Sequence, residues 1–209
     1  MDPALLITSF VTLLVVIDPI GLAPLFVAMT QGMPSGQRRA MAIRACFVAF
    51  GLLTLFGMFG ETVLGFVGIS MPAFRIAGGI LLFLTALDML FERRTQQRKS
   101  QIDSEEGDHH DPSVFPLGIP LIAGPGSIAT IILLTGEAEG DWLVILGHLS
   151  MMVAVLSLVL VLFLLAGLLE RALGETGINV VTRLLGMLLA ALSVQFVLDG
   201  IRSFLPVAG

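Results

Sequence analysis

Apolar residues in this chain come in long unbroken runs. They neither alternate with polar residues, as in a half-buried strand, nor keep to one face, as in a surface helix. A hydrocarbon core about 30 Å thick needs about 20 mostly apolar residues per helix. Six segments reach that length: Ala4–Ala28, Ala40–Phe59, Ala73–Phe91, Phe115–Thr135, Trp142–Leu169 and Val180–Leu205. Each is predicted to cross a membrane once, which makes the fold class an all-α membrane protein. The joints are short with one exception. "ERRTQQRKSQIDSEEGDHHDPS" (Glu92–Ser113) is charged and poor in apolar residues, so residues 92–114 read as a mobile hydrophilic loop between a first three-span unit (1–91) and a second (115–209).

Composition supports the same reading. Of 209 residues 56% are hydrophobic and 13% charged, with a mean hydropathy of +0.98. Soluble domains sit near 45–50% apolar and about 25% charged. This chain has too little polar surface to cover a water-facing exterior, so the lipid bilayer is its first partner. No basic patch interleaved with aromatics appears, which argues against nucleic acid. Six spans put Arg38, Arg39, Arg44, Arg93, Arg94, Arg98, Lys99, Arg171 and Arg183 on one side and only Arg75 and Arg202 on the other. Basic residues mark the cytoplasmic face, so both termini are expected on the extracytoplasmic side, with Trp142 as an interfacial anchor. The N-terminus "MDPALLITSF" lacks the basic region of a cleavable signal, so the first run is expected to stay as a membrane helix. Cys46, the single cysteine, reads as a small buried hydrophobe. His109 and His110 beside Asp108 and Asp111 could catch a metal, but a solvated loop explains them as well, and no metal or other cofactor is expected.

The two halves resemble each other. "ETVLGFVGIS" (Glu61–Ser70) lies over "ERALGETGIN" (Glu170–Asn179), "RIAGG" at Arg75 over "RLLGM" at Arg183, and "DPIGLAPL" at Asp18 over "GPGSIATI" at Gly124. Three matches in one order, at nearly constant offset, argue for two homologous halves. Each half has three spans, so the second must enter from the opposite side. The predicted architecture is therefore two inverted-topology three-helix repeats, a recurrent plan of secondary transporters.

The third match places Asp18, Pro19 and Gly21 in symmetry with Gly124, Pro125, Gly126 and Ser127. Proline inside a helix removes a hydrogen bond and clashes with the preceding turn, yet it suits the first helical position after an Asp or Gly cap. Both segments therefore read as breaks, with a new half-helix starting at each proline. Paired interruptions of this kind point to a transport site. The N–H groups of the new half-helices suit a carboxylate; the carbonyl ends before them, with Asp18, suit an ammonium group or a cation. A small zwitterion meets both demands. The alternative is that Asp18 only caps its half-helix and the breaks only shape packing.

Other polar residues within the spans are candidates for coupling or gating. Asp88 lies three residues before Phe91, close enough to the interface to be a solvated or arginine-paired end residue instead. Arg75 and Arg183 could pair with Glu61 and Glu170 as gate contacts, or anchor at the interface. His148, about 9 Å into its span, could relay a proton or bond a neighbouring helix. Gln195 could line a cavity or bridge helices. Gly51, Gly57, Gly60, Gly78 and Gly79 most simply let helices approach closely.

"IDPIGLAPLF", "RIAGGILLFLTALDMLF", "PLIAGPGSIATIILL" and "VQFVLDGI" together resemble the MarC family of membrane proteins. The resemblance implies six spans and uptake of glycine or alanine driven by an ion gradient, H+ or Na+. It carries the broken-helix roles to Asp18, Pro19, Gly21, Gly124, Pro125, Gly126 and Ser127. Where many relatives have a polar Asn after the first break, this chain has Leu22. A secondary transporter working by alternating access is the leading expectation, as importer or as exporter of amino acids or drug-like molecules. A non-transporting regulator is the alternative, and self-association stays open. An enzyme would need a nucleophile–base pair or metal ligands at one depth, which the few His and single Cys do not supply. No P-loop appears.

Overall fold

The structure, a computed structural model, describes residues 3–91, 113–138 and 140–204; the hydrophilic loop with its His109–His110 pair lies outside them. Among the described residues every regular element is helical: α1 (Pro3–Ile17), α2 (Pro19–Met29), α3 (Ser35–Val67), α4 (Met71–Leu90), α5 (Ser113–Ile122, of π type), α6 (Pro125–Gly136), α7 (Trp142–Leu164) and α8 (Ala166–Arg202). Five stretches are long and apolar enough to cross a membrane, α1 and α2 together forming one, and the bent pair α5–α6 makes a sixth. The molecule is a multi-pass membrane protein.

The fifth and sixth spans differ from the expected bounds. The fifth ends at Leu164, not Leu169. The sixth already runs from Thr176, after Gly174, whose φ of 62° and ψ of 175° put a kink inside α8. That backbone region is essentially restricted to glycine. Ala166–Leu173, apolar only over its first four residues, thus belongs to a short helix before the kink, and hydropathy alone merges its start with α7.

Contacts order the helix ends. The start of α4 meets the ends of α6 and α8, where Arg75 bonds Glu137 and a Cβ on Gly200 would lie 3.0 Å from the Pro72 carbonyl. At the opposite end Phe26 of α2 stacks on Phe163 of α7, ring centroids 4.5 Å apart, and Arg38 of α3 lies over Phe26. Successive spans therefore run in alternate directions.

Small residues bring the helices together, because lipid supplies no hydrophobic drive between them. Gly79 shows this most sharply. A Cβ there would lie 2.8 Å from the Ser193 carbonyl and 3.1 Å from the Val197 nitrogen, both backbone of α8. The outward faces are apolar: Phe66 is 93% exposed and Phe47 72%, as lipid contact requires.

Candidate functional site

Two helix breaks lie side by side within the bundle. In the first span one residue, Asp18, adopts the left-handed conformation (φ 55°, ψ 64°), and α2 starts at Pro19. The ladder passes through it: the Asp18 N–H donates to Leu14 O and the Leu22 N–H to Asp18 O, each at 3.0 Å. The Asp18 side chain is fully buried, and Oδ1 accepts from the Gly21 N–H at 3.0 Å. Glycine is required at 21 because a Cβ would overlap Asp18 Oδ2. The first break is thus a local, internally capped joint rather than an unwound segment, and Gly21 already sits in the first turn of α2.

The second break is wider. Residues 116–122 and α6 meet at 56°, and a Cβ on Gly124 would lie 2.6 Å from the Pro120 carbonyl. α6 starts at Pro125 with no side-chain cap. The Ser127 hydroxyl instead turns back onto the carbonyls of Ile122 (2.9 Å) and Gly124 (3.0 Å). Pro125 is exposed and Gly124 and Gly126 are half-exposed, where Asp18 is sealed. A Cβ on Gly126 would lie 3.3 Å from Val16 Cγ1, 3.5 Å from Leu82 and 3.8 Å from Thr85 Oγ1. The start of α6 therefore faces α1, two residues before Asp18, and α4.

These details redistribute the chemistry expected from the sequence. Asp18 occupies an N–H of α2 itself, and Ser127 takes up the carbonyls before α6. What stays open is the N-terminus of α6, with its first-turn N–H groups and positive dipole end. Asp18, Pro19, Gly21, Gly124, Pro125, Gly126 and Ser127 all belong to the two adjacent joints. The breaks follow 15 and 10 residues of helix and precede 11 and 12. At 1.5 Å per residue, the half-helices after them are about 16 and 18 Å long, roughly half a bilayer core.

The remaining candidates lie elsewhere. Asp88 is half-buried near the far end of α4, and Arg183 is exposed on α8. Gln195 is exposed and donates to Asp199 on its own helix at 2.9 Å. Arg75 pairs with Glu137 at 3.0 Å rather than with Glu61, which is exposed. The Arg75–Glu137 pair borders a cavity of about 400 Å³ with Met71, Pro72, Gly136 and Ser203. His148 is fully buried in α7, its Nδ1 2.7 Å from Ser9 Oγ of α1. Sequence reasoning missed Thr85 and Glu137. Thr85 is a lone hydroxyl in an apolar run, and Glu137 is the first acid after the fourth span.

Residues 4–205 match the family described as MarC family integral membrane protein. The chain belongs to the MarC family. Relatives include a UPF0056 membrane protein of Aquifex aeolicus, 35% identical over 96% of this chain and 94% of its own length. The UPF0056 membrane protein MJ1677 of Methanocaldococcus jannaschii is 35% identical over 98% of this chain and all of its own. The UPF0056 membrane protein YvbG of Bacillus subtilis is 34% identical over 95% and 94%. This MarC family member thus has bacterial and archaeal relatives along nearly its whole length. No solved structure matches it.

Burial holds the Glu137 carboxyl above the ordinary glutamate range; Arg75 pulls it down and Asp199 pushes it up. A carboxyl raised in the fold binds its proton more tightly there than in the unfolded chain, so its charged form costs stability as pH rises through the folded pKa. The melting temperature of the wild type, relative to Glu137→Gln, should therefore fall as pH rises through that window. Arg75→Leu should steepen the fall. A flat difference would show that the carboxyl titrates as in water.

Proposed function

We propose that this protein is a secondary transporter of a small zwitterionic solute, a neutral amino acid such as glycine or alanine, working by alternating access and driven by H+ or Na+. It performs no covalent chemistry in this reading. The observation that carries it is the pair of adjacent mid-depth breaks, with an uncapped helix N-terminus at the wider one. Irregular backbone at membrane depth is tolerated where protein or a cavity satisfies it. Here the Ser127 hydroxyl turns onto the carbonyl side and leaves the donor side for a solute carboxylate. Thr85 and the apolar Val16 and Leu82 stand beside it.

Two inverted repeats underlie the cycle. Exchanging α1 with α5, α2 with α6, α3 with α7 and α4 with α8 maps the packing of α3 on α5 onto that of α7 on α1. It likewise maps α3 on α6 onto α7 on α2, and α4 on α6 onto α8 on α2. Such exchange is what two related units would give, and with each unit crossing three times it supports rocking of one against the other. Both termini lie outside the cytoplasmic membrane, by the nine-to-two division of Lys and Arg. The Arg75–Glu137 pair, which ties the first half to the end of α6, then closes the outer face.

The deciding experiment is counterflow of labelled amino acids into proteoliposomes of the purified protein, with pH and Na+ gradients varied. Saturable exchange of at least one small neutral amino acid is expected. Exchange of none, by protein that is folded and correctly inserted, contradicts the reading. Cysteines placed at Arg93–Lys99 should label only from the cytoplasmic side; labelling from outside intact cells would reverse the orientation.

A further inference from the structure

His148 has no place in the site described above, yet its surroundings are unusual for a packing residue. It is fully buried, and its Nε2 has no hydrogen-bond partner among the described residues. A buried polar atom left unpaired is costly, so its presence calls for an explanation. The other ring nitrogen supplies one. Ser9 Oγ lies 2.7 Å from Nδ1 and 2.8 Å from Leu5 O, to which it donates. A hydroxyl has one hydrogen to give. With that hydrogen on Leu5 O, Nδ1–H must donate to Ser9 Oγ, and Nε2 carries a bare lone pair. The chain from Nδ1–H through the hydroxyl to the carbonyl is the same for neutral and charged imidazole. A proton can therefore be added at Nε2, or lost from it, without breaking any bond already made.

Among the described side chains no fixed charge competes for that role. α7 packs against α1, α2, α3, α6 and α8. Within α1, α2 and α6 there is no Asp, Glu, Lys, Arg or His, and His148 is the only such residue within α7. Asp18 stands nine residues from Ser9 along the first span, capping α2. Glu61 of α3 and Asp141 before α7 are exposed at helix ends, and Glu137 beyond α6 is paired with Arg75. Arg38, Arg39, Arg44 and the thiol of Cys46 lie toward the other end of α3. On α8, Arg171, Arg183 and Arg202 are exposed, and Asp199 is engaged by Gln195. The pair also joins α1, which leads into the first break, to α7 of the second half. A change of ring charge there bears directly on how the halves sit together.

We infer that His148 is the proton-carrying residue of the transport cycle, taking up and releasing one proton at Nε2, with Ser9 as its positioning residue. The inference deepens the transporter reading and rests on it. Glycine serves as the probe. One proton per solute lets a one-unit pH gradient hold up to about a tenfold glycine ratio across a vesicle. His148→Gln keeps a hydrogen-bonding side chain facing Ser9 but cannot carry the proton. It should lower the held ratio from about tenfold to about one, while glycine counterflow, which needs no gradient, continues. A His148→Gln variant that still accumulates glycine in response to the pH gradient overturns the proposal.

A second measurement needs no solute. In a chain carrying His109→Gln and His110→Gln, the ring nitrogens of His148 are followed by NMR in nanodiscs. Reversible titration as the pH is lowered, shifted by Ser9→Ala, is the expected result. A ring that stays neutral throughout overturns the proposal even if glycine is not the solute. Absence of counterflow in the wild type, with His148 titrating, counts against the transporter reading and leaves the proton site standing.

Discussion

Gly126→Val should abolish solute binding and uptake while leaving expression and membrane insertion intact. The start of α6 is open because residue 126 has no side chain. Its Cβ position is already 3.3 Å from Val16 Cγ1 and 3.5 Å from Leu82, so two added methyl groups must fill the space before the first-turn N–H groups. Hydrogen bonds to a charged group contribute about 1.5–3 kcal/mol each. Losing two such bonds to a carboxylate should weaken binding by roughly 100-fold or more. Gly126→Ala needs a shift of only a few tenths of an ångström in Val16 and should keep measurable transport. Normal transport by Gly126→Val would remove the anion site from the account.

Gly21→Ala should destabilise the protein, although alanine favours a helix over glycine by about 1 kcal/mol. The new methyl overlaps Asp18 Oδ2 and would lie 2.8 Å from Asp18 Cγ, so the carboxylate must leave the Gly21 N–H. Loss of an N-cap costs about 0.5–2 kcal/mol, and disturbing a buried carboxylate adds to it. A net loss of about 1–3 kcal/mol is expected, read as a lower melting temperature in nanodiscs. The double-mutant cycle gives the sharper test. In an Asp18→Ala background the overlap is gone, and Gly21→Ala should become neutral or stabilising. An equal penalty in both backgrounds would show that the glycine serves some other contact. Asp18→Asn, which keeps an oxygen to accept the Gly21 N–H, should fold normally and report separately on the charge.

How much of this was legible beforehand depended on which physical signal each feature leaves in a sequence. The apolar runs fix where membrane helices lie, since lipid demands about 20 such residues in a row. Pro19 and Pro125 mark where new helices begin, because a proline ring fits only the first turn without cost. The structure starts α2 and α6 at those two residues. Depth of unwinding was not legible. Asp18 and Gly124 both read as caps, yet one carboxylate reaching the Gly21 N–H keeps the first joint tight, while the second, without a side-chain cap, bends by 56°. The end of the fifth span was hidden because Leu164–Leu169 is uniformly apolar; only the backbone at Leu165 ends α7, and that at Gly174 sets off the sixth span. Partners across the bundle were the least accessible. Arg75 could be seen as an ionisable residue near a span end, but its pairing with Glu137 depends on how α4 and α6 meet. The Ser9–His148 contact likewise joins residues 139 positions apart.

The most direct test of the central claim is a structure of the protein, in a membrane mimetic, saturated with the amino acid that counterflow selects. The solute carboxylate is expected against the N–H groups of Gly126 and Ser127, between α1 and α4, with Val16, Leu82 and Thr85 around its side chain. A solute bound away from both breaks, with the start of α6 covered by protein, would contradict the account.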